Sequence, residues 1–339
     1  MKNKPVIMNI EPAAALPGAE IRIEGDHFMR DGVRPFVAID NLNGHIVAAS
    51  ENFLVVHVPT NAHQGELKVV LGDVESEPVR LVVATLLASN LHPVGNPGVD
   101  AQGNIFVTFS GSRGQKVSTS VFKITQGVLT PFLSDLMNPT GIAFNSRGEM
   151  FISSRFDGTV YQILASDQLE VYAKGMGVAT GIVFDSQDNL YVGDRSGTIF
   201  KIDKDHRTFV YATLEPSVSA YHLALDAEDH LFVTGPTIGC LDGVYRVNPH
   251  GEVEEYFGGL GRPQGMAFDP EGNLLVAASW GGRKGIVNIS RDRRASFVVS
   301  GSGIVGLAFD QSAPGELIVV TVDSVYRLNL GWVGRSFTN

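Results

Sequence analysis

One five-residue phrase recurs along this chain at near-constant spacing, and it limits the fold more than any other feature. Gly141-Ile-Ala-Phe-Asn145 returns as Gly181-Ile-Val-Phe-Asp185, Gly265-Met-Ala-Phe-Asp269 and Gly306-Leu-Ala-Phe-Asp310. Leu223-Ala-Leu-Asp226 is a degenerate copy, and Val99-Asp100 with Gly103-Asn-Ile-Phe-Val107 an upstream one. The period is roughly 40–42 residues, the length of one four-stranded propeller blade. Each period divides into strand-like runs. In the best-formed copy these are Thr140–Phe144, Glu149–Ser153, Thr159–Ile163 and Leu169–Tyr172, with Asp157-Gly158 as a hairpin turn. A single such sheet has too little surface to bury alone, so the repeats must pack against one another. Six copies predict an all-β fold with six four-stranded blades.

Residues 1–83 lack the period. They alternate apolar and polar over Val6–Ile10, Glu20–Glu24, Pro35–Ile39, His45–Ser50, Phe53–Val58, Gly65–Leu71 and Val79–Val83, which predicts a small β-sandwich. The expected division is therefore 1–83 and 84–339. No Gly/Ser linker separates the parts, because strand-like sequence runs unbroken through Val79–Leu87. The last repeat has three clear strands, Ile304–Phe309, Glu316–Val320 and Ser324–Leu328, and a weak fourth. Leu81–Leu86 resembles the outer-strand sequence Phe209–Leu214 and is expected to supply the missing strand, closing the ring. The alternative donor is Arg335–Asn339.

Two resemblances accompany these patterns. Pro5-x-Ile7-x-x-Ile10-x-Pro12, Pro17-Gly18-Ala19-Glu20-Ile21-x-Ile23-x-Gly25-x-x-Phe28 and Val56-x-Val58-Pro59 resemble the IPT/TIG immunoglobulin-like domain. Such domains serve mostly as spacers or interaction modules. Asn189-Leu-Tyr-Val-Gly-Asp194-Arg-Ser-Gly197-Thr-Ile-Phe-Lys-Ile, with Gly158-Thr-Val-Tyr-Gln-Ile and Gly243-Val-Tyr-Arg-Val, resembles the six-bladed NHL and SMP-30/gluconolactonase-like propellers. That group spans lactonases, esterases, a synthase and plain binding modules, so the resemblance implies fold without activity.

A propeller site lies at one mouth of the central channel, where inner strands start and second-to-third-strand loops end. In lactonase members of the group, carboxylate and amide side chains there hold a divalent cation. Hard cations need several oxygen ligands, but the six strand starts here offer Asn96, Thr140, Thr180, His222, Gln264 and Val305, with no carboxylate. No axial metal and no cofactor are expected. The candidate ligand-binding residues are Asn96, Thr140, Arg155, Thr180, Arg195, Tyr221, His222, Gln264, Trp280 and Arg283.

His222 suits acid–base chemistry at neutral pH, or else is a histidine hydrogen-bonded inside a polar channel. Asp194 reads as a turn-holding carboxylate, and Arg195 either clamps an anion together with Arg155 or is simply solvated. Cys240, the single cysteine, shares a blade end with His222 and rules out an intramolecular disulfide. A buried, inert thiol is the expectation. No Ser-His-Asp order, phosphate loop or zinc spacing is present.

The net charge of −10 argues against binding nucleic acid or an anionic membrane. The N-terminal apolar run is too short for a signal peptide, and no apolar run reaches membrane-spanning length. The expectation is a cytoplasmic protein, or an exported one beginning after a removed leader. Two functions fit. One is a protein binding a small molecule or protein partner at the channel mouth. The other is an SMP-30/gluconolactonase-like hydrolase or lyase of a lactone or ester, with His222 as acid/base.

Overall fold

The computed structural model describes residues 4–331, apart from 31, 64, 165–167 and 240. Every regular element among them is a β-strand. Five separate four-stranded sheets and one embedded in a larger sheet form six consecutive blades. Their first strands begin at Gly98, Pro139, Ala179, His222, Met266 and Ile304. Each blade runs outward through antiparallel neighbours, as short turn-separated strands require.

The repeated glycine sets the width of the axis. A Cβ on Gly181 would lie 2.4 Å from the carbonyl oxygen of Tyr221, and one on Gly306 would lie 2.4 Å from that of Gly95. Neighbouring inner strands thus meet backbone to backbone, a spacing that no side chain tolerates. Gly306→Ala forces the methyl between Gly95 O and Asn96 Cα. Urea denaturation should show a loss of about 3 kcal/mol, the upper range of overpacking.

The acidic end of the phrase closes the turn between the first two strands. Asp185 Oδ1 accepts from the backbone N–H of Gln187 (3.0 Å) and Asn189 (2.8 Å). Asp100, Asn145, Asp226, Asp269 and Asp310 organise the equivalent turns. Some turns also clasp the next blade: Ser146 N donates to Asp188 Oδ1 (2.8 Å), and Ser186 N to Asp229 Oδ1 (3.0 Å). Apolar clusters such as Ala143, Phe151, Val160, Ile182, Leu190 and Val192 fill the space between blades.

The ring closes through residues that precede it. Thr85–Ala88 pairs antiparallel with Val325–Asn329, completing blade 6. The expected donor Leu81–Leu86 is in fact divided at Ala84. Val79–Val83 instead pairs with Gly65–Leu71 on one side and with Ala14–Ala15 on the other. The division arises because Val82 N and Ala84 N donate to Ala13 O and Ala15 O, so this stretch belongs to the N-terminal sheet. Arg335–Asn339, the alternative donor, lies outside the described residues.

The seven expected N-terminal strands are present, with two short ones, Ala14–Ala15 and Val74–Glu75, that sequence reasoning missed. Ala14–Ala15 lies parallel to both Val79–Val83 and the outer strand of blade 5, Ala295–Ser300. It joins the N-terminal strands and blade 5 into one 13-stranded sheet. Two residues are too few to leave a periodic signature. Ile21, Ile23, Leu54, Val56, Val37, Ile39, Leu67 and Val69 share one core inside the N-terminal part. A second cluster spans the junction: Ala14, Leu16, Val82 and Ala84 pack with Leu275, Ala277, Ile286 and Val299.

Candidate functional site

Pairing register decides which residues reach the axis. Ile182 pairs with Val192 and Leu223 with Val233, so Leu223 is the counterpart of Ile182. His222 therefore stands where Gly181 stands in blade 3, and Tyr221 takes the place of Thr180. By the same count Asn96 occupies the glycine position of blade 1. Four blades put glycine at the axis, and two put a side chain there.

These two side chains fill the bore. Asn96 reaches across it: Nδ2 donates to Met266 O of blade 5 (3.3 Å), and Oδ1 accepts from Leu307 N of blade 6 (3.1 Å). His222 is only 2 % exposed, and its Nε2 has no hydrogen-bond partner among the described residues. Together with Thr140, Tyr221, Gly141 and Gly181 they border a cavity of about 10 Å³, about what one water requires. Burial pushes the His222 pKa down to about 4, so the ring is neutral at physiological pH.

The threonines and tyrosine nearby are committed to the scaffold. Thr140 Oγ1 donates to Asn138 O (3.4 Å), and Thr180 Oγ1 to Gly193 O (2.9 Å) while accepting from Tyr221 N (3.1 Å). The Tyr221 hydroxyl donates to Glu215 O, and burial pushes its pKa up to about 12. Asp194 holds the turn: its carboxylate accepts from Val178 N (2.7 Å) and the Ser196 hydroxyl. Arg283 stacks over Phe297 (4.8 Å) and pairs with Glu11 (2.7 Å), which commits it to the junction with the N-terminal sheet. Trp280 faces Arg283 across the hairpin and packs on the blade 5 core. Gln264 opens into a different pocket, beside Arg262 and Lys284. Cys240 lies outside the described residues.

The two remaining candidates come together. Arg155 Nη2 donates to Ser110 Oγ (3.1 Å) and Gly111 O (2.9 Å) of the blade 1 loop, and Arg195 Nη2 donates to Val218 O (2.9 Å). The Nε of each is buried without a partner among the described residues. Burial, then Arg195, then Arg113 lower the Arg155 pKa, and no carboxylate offsets them. Three consecutive blades thus bring three guanidinium groups into electrostatic range at the channel mouth. Neither Arg155 nor Arg195 has an ion-pair partner among the described residues. Arg113 is not among the candidates that the sequence offers. Its position is set by Asn138, which is buried, accepts from Gly114 N (2.7 Å) and donates to Gly111 O (2.9 Å) and Ser112 O (3.0 Å).

At the opposite end of blade 4, Asp226, Glu228 and His230 form a group with metal-ligand spacing. The same Asp226 oxygens accept from Glu228 N and His230 N and contact His230 Nδ1 (2.9 Å), as in the corresponding turns of other blades. The group is explained by the turn.

No family model matches the chain, and no curated protein matches it in sequence. Solved structures do. An auxiliary nutrient binding protein from Bacteroides thetaiotaomicron is 12 % identical with a TM-score of 0.57, covering 96 % of this chain and 98 % of that one. A putative gluconolactonase is 15 % identical with a TM-score of 0.58, over 73 % and 91 %. Virginiamycin B lyase from Staphylococcus aureus is 14 % identical with a TM-score of 0.52, over 88 % and 99 %. This chain has the six-bladed β-propeller fold of these proteins, and at such identities the likeness shows the fold alone.

Proposed function

We propose that this chain is a binding protein that holds a small anionic molecule at the propeller mouth, over blades 1 to 3. The observation that carries the reading is the cluster of Arg113, Arg155 and Arg195 without a carboxylate among them. Half-buried cations that repel one another cost stability unless a ligand compensates them, and guanidinium forks match carboxylate and phosphate oxygens. Nutrient-binding proteins among the solved neighbours support a small-molecule ligand. In this reading residues 1–83 form an immunoglobulin-like module of the IPT/TIG kind, and 84–339 form the propeller that carries the site. His222 and Asn96 then serve as the axial plug, and Thr140, Thr180 and Tyr221 as the frame of the mouth.

Calorimetric titration against a panel of small carboxylates and phosphate esters tests this. Arg155→Ala and Arg195→Ala should each weaken the best ligand about 10- to 100-fold, as expected for a lost charge-assisted hydrogen bond. Affinity indifferent to both substitutions would remove the reading. Turnover of a lactone or ester that falls in His222→Gln would replace it with the hydrolase alternative.

A further inference from the structure

A second cationic pocket opens on the same face, between blades 5 and 6. Its volume is about 170 Å³, and Arg262, Gln264, Ser279 and Lys284 line it together with the backbone of Gly261 and Gly301. No lining residue carries a carboxylate. None of the four polar side chains has a hydrogen bond or ion pair to another described residue, and Arg262 and Lys284 are exposed, so their charged ends are free to meet a ligand.

The walls are held firmly. Gly261 N donates to Ser279 O (2.7 Å), Ser279 N to Gly261 O (2.8 Å) and Gly301 N to Lys284 O (3.0 Å). Leu16 N of the N-terminal sheet donates to Ser300 O (2.8 Å), fixing the adjoining strand end. Arg262 itself has a φ of 48°, immediately before Pro263. Asparagine or glycine adopts that left-handed backbone at lower cost. The strain therefore holds a cation at the rim, at a place where the fold prefers a smaller residue.

We propose that this pocket is a second anion-binding site, independent of the arginine cluster, for a small hydroxylated carboxylate or phosphate ester. The charged head sits between Arg262 and Lys284. The hydroxyls of the ligand bond to Ser279 and the Gln264 amide, and Ala277, Ala278 and Ile304 supply an apolar floor. The volume is below the roughly 300 Å³ where ordinary ligand pockets begin, which selects a compact metabolite.

Trp280 follows Ser279 on the same strand, outside the pocket lining, and serves as a neighbouring probe beside calorimetry. The chain has two tryptophans, so Trp332→Phe leaves Trp280 as the sole indole emitter. Glycerate and glycerol 3-phosphate are titrated against this variant by fluorescence and against the unaltered chain by calorimetry, with glycerol as the uncharged control. Saturable binding of at least one anion and none of glycerol is expected, and the tighter anion identifies the head group. Arg262→Asn, which keeps a residue suited to the left-handed backbone, and Lys284→Ala should each weaken binding at least tenfold, whereas Arg155→Ala should leave it unchanged. The proposal is overturned if neither anion binds the unaltered chain, if binding survives Arg262→Asn combined with Lys284→Ala, or if Arg155→Ala abolishes it while Arg262→Asn does not.

Discussion

A chain that begins at Leu91 should lose its cooperative melting transition, whereas one that begins at Glu77 should keep it. The shorter chain lacks Thr85–Ala88, whose pairings Thr85 with Arg327, Leu86 with Tyr326 and Ala88 with Val325 complete blade 6. It also loses Ala88 from the cluster of Ile105, Val107, Val305, Ile318, Val320 and Val325, which binds blade 6 to blade 1. An open edge and an uncovered apolar face then coincide at one seam. The expected loss is about 5 kcal/mol or more, comparable with the net stability of a whole domain. The longer chain keeps this strand together with Val82 and Ala84, which cover part of blades 5 and 6. Differential scanning calorimetry compares the two. Equal midpoints would show that the ring holds without its borrowed strand.

The second large effect is a pH dependence lodged in His222. Its folded pKa, about 4, lies below the ordinary value of 6.5 because burial disfavours the imidazolium. The unfolded chain therefore takes up a proton first as pH falls. The contribution to stability is complete above pH 6.5 and is lost progressively between 6.5 and 4. At pH 4 the loss reaches about 3 kcal/mol by linkage. His222→Gln fills the bore without a titrating group, so its stability should fall less by about that amount between pH 7 and pH 4. Urea denaturation of both proteins at the two pH values measures the difference. Parallel curves would show that His222 is solvated in the folded state.

The same histidine shows how far the sequence could be read. The repeat was visible because every blade needs an aspartate or asparagine at one turn and apolar strands between turns, and both leave a linear signature. Blade 4 breaks the phrase, however, and an alignment on Leu223 puts His222 level with Thr180. Only the pairing of Leu223 with Val233 shows that it replaces a glycine and points into the bore. Asn96 was placed at the mouth for the same reason, although its amide is used between blades. Asp194 is different. Its turn-holding role was legible because Ser196 is two residues away, whereas the bond from Val178 crosses a connection whose length no local pattern specifies. Arg155 and Arg195 could be proposed as neighbours from the repeat, being 40 positions apart on equivalent loops. Arg262 and Lys284 could not, because they meet only through the pairing of Gly261 with Ser279 and of Ser279 with Lys284.

The strand that seals the ring also dictates when the ring can form. Thr85 emerges from the ribosome roughly 240 residues before its partner Arg327, a strongly non-local pairing. Five blades can stack as they are made, each on the one before. The sixth must wait for the final residues, and until then Thr85–Ala88 is an unpaired edge exposed to other nascent chains. Anchoring Val79–Val83 in the N-terminal sheet, which is complete early, keeps that edge short and fixed in place throughout the delay.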